Sequence, residues 1–104
     1  MRLFLLILFM HYVYILYSLK DGNLYKGYTS NIQTRFLKHN SGGSKSTAHR
    51  KPFVMVYVEQ FDNKREALLR EQHFKSLEGG AELKQQLKRL RILNEDNKLN
   101  IEQW

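Results

Sequence analysis

Tyr14 and Tyr25, Arg35 and His39, and Glu71 are the side chains whose types and spacing could do chemistry. A phenol or an imidazole can take or give a proton, a guanidinium can hold a phosphate through its planar fork of donors, and a carboxylate can bind a hard divalent cation. Arg35 and His39 are spaced i, i+4 beside the apolar Ile32 and Phe36, so on a helix both lie at the edge of the buried stripe. A surface arginine with a histidine near a helix C-terminus is also a common arrangement with no chemistry in it. Glu71 falls between Ala67 and Leu68 on the helical wheel, with Phe74 on the same apolar side. A carboxylate there is costly unless it is paired or binds a cation. Metal binding for phosphodiester chemistry and an i, i+4 ion pair with Lys75 account for it equally well.

The two tyrosines must be brought together by a hairpin. Residues Tyr12 to Ser18 are aromatic, β-branched or apolar, and Lys20-Asp21-Gly22-Asn23 is turn chemistry leading into Leu24-Tyr25-Lys26-Gly27-Tyr28. A turn centred on Asp21-Gly22 pairs Ser18 with Tyr25, Leu16 with Gly27 and Tyr14 with Thr29, which puts Tyr14 and Tyr25 on one face but roughly 13 Å apart along the sheet. Gly27 lies between them and predicts an open hollow that a ligand backbone could approach. Periodicity alone equally allows both tyrosines to be core aromatics.

Further along, Ser30 or Asn31 can cap a helix to about Asn40, and residues 41–47 read as a flexible loop. Pro52 sits at the entrance to a strand through Phe53-Val54-Met55-Val56-Tyr57-Val58. Asp62 or Asn63 caps a helix through Leu77 that Gly79-Gly80 ends, and Ala81 to about Leu93 reads as a last helix. The order β-β-α-β-α-α predicts an α/β or α+β domain, a small three-stranded, mainly antiparallel sheet flanked by helices. The expected organisation is an apolar extension over residues 1–10, a domain over 11–93 and a polar tail over 94–104, with no role evident for Trp104.

Composition narrows the function classes. The chain has 104 residues, 42% of them apolar, enough for one modest core. Lys and Arg number 17 against 10 Asp and Glu, a formal net charge of +7, which favours a polyanionic partner only modestly. Lys45, His49, Arg50 and Lys51 in the loop, and Lys84, Lys88 and Arg91 on the last helix, can neutralise phosphates; a solvated charged face explains the helix stripe nearly as well. With no cysteine, disulfides, thiolate nucleophiles and zinc-thiolate sites are excluded, and a reducing, cytoplasmic setting is compatible. The apolar run from Met1 reaches His11 short of the roughly 18 residues a membrane span needs and has no small-residue cleavage site. It reads as an extension outside the domain, with Met10 as an alternative start and a short membrane anchor as the second reading.

Taken in order, the pieces Tyr12-Val13-Tyr14-Ile15-Leu16, Leu24-Tyr25-Lys26-Gly27-Tyr28-Thr29-Ser30-Asn31, Arg35, His39-Asn40-Ser41-Gly42, Ser46-Thr47, Arg50-Lys51-Pro52, Val56-Tyr57-Val58-Glu59 and Arg65 to Glu71 resemble the GIY-YIG nuclease superfamily. The likeness is to its small standalone members, which are similar to the N-terminal domain of the excinuclease C subunit. The resemblance implies a metal-dependent endonuclease acting on nucleic acid, DNA before RNA, in repair or recombination. It implies that Tyr14 and Tyr25 are the motif tyrosines, with Tyr25 helping to activate the attacking water. Arg35 would be the catalytic arginine, His39 a position held by histidine or tyrosine, and Glu71 the ligand of a single Mg²⁺ or Mn²⁺. Gly27, Lys45, Arg50 and Lys75 are the expected substrate contacts, and no small-molecule cofactor is expected. Tyr12 replaces the glycine of the first motif and Lys26 the isoleucine of the second. A nucleic-acid-binding module without turnover is the alternative, and a protein-interaction unit a third reading.

Overall fold

A computed structural model describes residues 10–101 of the chain; residues 1–9 of the expected extension over 1–10, and Trp104, lie outside them. The elements are β1 (His11–Ser18), β2 (Leu24–Thr29), α1 (Ile32–Ser41), a 3₁₀ turn at Ala48–Arg50, β3 (Phe53–Phe61), α2 (Lys64–Lys75) and α3 (Leu77–Arg89). The strands form one antiparallel sheet in the order β2-β1-β3, so the expected α+β architecture holds.

Strand alternation on β1 builds two layers. Val13, Ile15 and Tyr17 join Val56, Ala67, Phe74, Leu83 and Leu87 in the main core beneath α2 and α3. Tyr14 and Leu16 point the other way, where they pack with Phe53, Tyr25, Ile32, Phe36 and Met55 beside α1. β1 is therefore buried on both faces, as a central strand with apolar residues at consecutive positions requires. The β1–β3 pairing shifts register between Ile15, opposite Tyr57, and Leu16, opposite Met55. This bulge inserts Val56 as an extra residue, which lets Val56 and Tyr57 both serve the main core.

The hairpin register differs from the expected one by two positions. Tyr14 pairs with Gly27 and Leu16 with Tyr25. The turn is centred one residue earlier than Asp21-Gly22, because side chains claim its amides. Ser18 Oγ accepts from the backbone N–H of Lys20 at 3.2 Å and Asp21 at 3.1 Å, and Asp21 Oδ1 accepts from that of Asn23 at 2.9 Å. Gly22 then takes φ 71°, a conformation that suits glycine. The shift is even, so the faces keep their residues, but Tyr14 and Tyr25 become diagonal neighbours.

Helix starts follow the expected chemistry. Asn31 Oδ1 accepts from Thr34 N–H at 3.1 Å and Asn63 Oδ1 from Glu66 N–H at 2.8 Å. Gly79-Gly80 does not end α2. Ser76 does, in extended conformation, while its hydroxyl accepts from Gly79 N–H at 3.0 Å and so caps α3. Gly79 sits in the first turn of α3 against the His73 carbonyl, where any Cβ would collide. Residues beyond α3 remain on the domain: Leu93 is buried and bridges to Leu99, and Asn100 N–H donates to Ile92 O at 2.9 Å.

Candidate active site

Tyr14, Tyr25 and His39 form one aromatic cluster on the α1 side of the sheet. Ring centroids lie 6.1 Å apart for Tyr14–Tyr25, 5.8 Å for Tyr14–His39 and 4.7 Å for Tyr25–His39. The Tyr14 hydroxyl and His39 Nε2 are 2.9 Å apart, and His39 Nδ1 lies 2.8 Å from Thr47 Oγ1. Thr47 has one hydroxyl proton, directed at the Ser44 carbonyl at 3.4 Å, so it accepts from Nδ1–H. Nε2 is then the bare nitrogen and accepts the phenolic proton of Tyr14. Burial, followed by the charges of Arg35 and Lys38, holds His39 below its ordinary value and keeps this tautomer neutral.

Tyr14 is buried, and its phenol is pushed well above the usual tyrosine range. Burial is the largest cause, then Tyr25, with Arg35 opposing and Glu71 adding to the rise. Arg35 stands on α1 and Glu71 on α2. Tyr25 is half-buried and Arg35 exposed, so the cluster opens to solvent on their side.

Gly27 is not an open hollow. The Tyr14 ring lies directly over it, and a Cβ there would strike Cζ and the hydroxyl oxygen, with Cε1 only 2.8 Å away. The missing side chain makes room for the Tyr14 ring of the protein itself.

Glu71 is 16% exposed and faces Lys75 at 3.5 Å, the i, i+4 pair that its spacing allows. Among the described residues no group of three or more His, Asp or Glu could enclose an ion. A single half-buried carboxylate, with one loosely held cation beside it, fits Mg²⁺ or Mn²⁺ of the kind that keeps several waters and completes its shell with substrate phosphate. Glu71 is the residue that would hold such an ion.

Two expected substrate contacts, Lys45 and Arg50, lie on the segment between α1 and β3. Arg50 is occupied internally: its Nε donates to Asp21 Oδ2 at 2.6 Å, and its Nη2 to the carbonyls of Asn23 at 3.2 Å and Leu24 at 3.4 Å. The guanidinium therefore fastens the hairpin loop. It also holds the Asp21 carboxyl at about 2, below the usual 3.8. Lys45 is exposed on the loop after α1.

That loop is anchored, contrary to the flexible segment expected. Gly42 caps α1 at φ 80°, and Thr47 is 1% exposed. Asn40 clasps the Phe53 backbone twice, accepting from its N–H at 2.6 Å and donating to its carbonyl at 3.1 Å. Thr47 and Asn40 thus position His39 and the end of α1, roles that sequence reasoning missed. Their one signal was that both stood in the ordered family pieces.

A hairpin-led α+β domain thus gathers two tyrosines and a histidine into one cluster beside the hairpin. The chain belongs to the GIY-YIG family: residues 10–85 match the GIY-YIG catalytic domain. It is 48% identical over 75 residues to a UPF0213 protein of Staphylococcus saprophyticus, covering 71% of this chain and 90% of that one. A UPF0213 protein of Clostridium perfringens is 51% identical over 69 residues, covering 65% and 73%. The solution NMR structure of a UPF0213 protein from Bacillus halodurans matches at 43% identity and a TM-score of 0.45, covering 71% of this chain and 81% of that one.

Proposed function

We propose that this protein is a metal-dependent endonuclease that hydrolyses phosphodiester bonds in nucleic acid, DNA before RNA, in a repair or recombination setting. The observation that carries the reading is the convergence of Tyr14, Tyr25 and His39 on one face of the sheet, with the Tyr14 hydroxyl 2.9 Å from His39 Nε2.

Roles follow from environment. Tyr25 is the phenol open to water; having released its own proton to solvent, its phenolate oxygen takes the proton of the attacking water molecule. Tyr14 keeps its own proton, because its O–H is committed to neutral His39 and its ionisation is opposed by burial. It orients the site from within. Arg35, exposed at the cluster, binds the scissile phosphate and steadies the charge that grows on its oxygens as water adds and the ester P–O bond breaks. Glu71 would hold a divalent ion, which would supply Lewis-acid charge to the phosphoryl chemistry. Lys45 and Lys75 would add phosphate contacts without base readout. The Glu71–Lys75 pair favours a second reading, a nucleic-acid-binding module in which Glu71 is only a structural partner.

Labelled single-stranded, double-stranded and branched DNA, and RNA, incubated with Mn²⁺ or with EDTA, test both. The nuclease predicts metal-dependent cleavage that disappears in Glu71→Ala and Arg35→Ala. Salt-sensitive binding without any cleavage would establish the binding module instead, and no binding at low salt would end both readings.

A further inference from the structure

The face of the sheet away from Tyr14 carries lysines that the chemistry above does not use. Lys26 pairs with Ile15, which turns it toward α2 and α3, and its Nζ lies 3.4 Å from where a Gly80 Cβ would stand. A cleft of about 330 Å³ is lined by Lys26, Lys75, Leu77, Gly80 and Lys84. A second, of about 300 Å³, is lined by Lys26, Lys84, Asp96, Asn97 and Lys98. Lys26 and Lys84 border both, so the two clefts form one trough along the edge strand β2.

The trough is short of counter-charge. Among the described residues the ion pairs are Arg50–Asp21, Arg70–Glu59, His73–Glu82 and Lys75–Glu71, and neither Lys26 nor Lys84 enters one. Asp96 is the carboxylate that lines it. Burial foremost, then the ammonium groups of Lys84 and Lys75, hold the Lys26 pKa below its usual value. Like charges gathered this way repel one another in the free protein and are relieved by a polyanion. Leu77, 95% exposed, lines the same cleft and offers an apolar contact between the charges. Charge alternating with apolar surface is the pattern of a nucleic-acid strand, whose phosphates are separated by sugars and bases.

We propose that Lys26, Lys84 and Lys98, with Leu77 on the cleft that Lys75 also lines, form a second docking surface that holds the phosphate backbone of a nucleic-acid duplex beyond the cleaved bond. Lys75 links the two regions, since it lines the trough and pairs with Glu71 at 3.5 Å. The trough thus leads away from the candidate metal ligand, on the side of the sheet that Tyr14 and Tyr25 do not occupy. This proposal rests on the nuclease reading.

The test is anisotropy of a labelled DNA duplex with the full chain in EDTA, over roughly 50 to 200 mM salt, alongside a thermal melt of each variant. Lys26→Gln and Lys84→Gln should each lower the slope of log affinity against log salt by about 0.9, so the double variant loses roughly tenfold of the affinity change across that range. Leu77→Ala should weaken binding with the slope unchanged. If Lys26→Gln does not fold, Lys84→Gln and Leu77→Ala, both at exposed positions, decide the matter. Wild-type binding and metal-dependent cleavage, with variants of unaltered affinity and slope, would overturn the trough and leave the nuclease standing. Absence of any wild-type binding at low salt would overturn both.

Discussion

Replacing Gly27 with alanine should be costly for one reason only, the Tyr14 ring that lies on it. The added Cβ meets Tyr14 Cζ, Oη and Cε1, so the ring must swing away and surrender its 2.9 Å hydrogen bond to His39. Overpacking of this kind costs about 1–3 kcal/mol. The lost hydrogen bond adds about 1 kcal/mol or more, because His39 Nε2 stays buried without a partner. Together these give about 2–4 kcal/mol, a fall of about 1–3 M in the urea midpoint for an m-value near 1.5 kcal/mol/M. The same change in a Tyr14→Leu background meets no ring. Gly27 has ordinary backbone torsions, so there alanine should be neutral or stabilising by about 0.5 kcal/mol through the unfolded chain. Urea unfolding of the wild type, both single variants and the double variant closes the cycle. An equal cost of Gly27→Ala in both backgrounds would refute the account of Gly27 as the seat of Tyr14.

Thr47→Val removes the acceptor of His39 Nδ1–H and should cost about 1–3 kcal/mol in chemical unfolding; a change below about 0.5 kcal/mol would mean that Thr47 does not set the tautomer. The pKa of His39 is depressed on folding, so its contribution to stability is present above pH 6.5 and lost as pH falls through the lower folded value. The wild-type melting temperature should therefore drop below pH 6.5, and His39→Gln should flatten that part of the profile; an unchanged profile would contradict it. Asp21, lowered to about 2, contributes stability above pH 3.8 that is lost as pH falls through about 2, and Asp21→Asn should remove this acid limb from the unfolding curve. Asn40→Ala breaks both bonds to the Phe53 backbone and should cost about 1–3 kcal/mol, whereas a neutral result would show that α1 docks on β3 by packing alone.

Local chemistry made the strands, the caps at Asn31 and Asn63 and the element order readable, because each rests on residues adjacent in sequence. Two local signals pointed to the wrong place. Asp21-Gly22 is the usual two-residue turn pair, yet Ser18 captures the amides before it and moves the centre. Gly79-Gly80 has the look of a helix end, yet Ser76 has already ended α2, and the glycine is needed for closeness to His73. In the candidate site, Glu71 was legible as an acid on an apolar helix face, and its partner Lys75 as an i, i+4 neighbour. What links distant segments was not: Thr47 on His39, Asn40 on Phe53, and Arg50 on the Asn23 and Leu24 carbonyls. Charge counting offered Arg50 to a substrate phosphate, but only the fold could show its donors already spent on the loop.

The strand bearing Tyr14 runs through the middle of the sheet, flanked on both sides, with Val13 and Ile15 fully buried on either side of it in sequence. Its amides should be among the last to exchange with deuterium, released only when the whole domain opens. The tyrosine that orients the cluster cannot then breathe independently of the fold. On the mechanism proposed above, motion that admits or releases a ligand would come from Tyr25 on the edge strand and the exposed Arg35 of α1. Any local opening seen there, with β1 still protected, would mark the moving half of a site whose other half is as rigid as the protein.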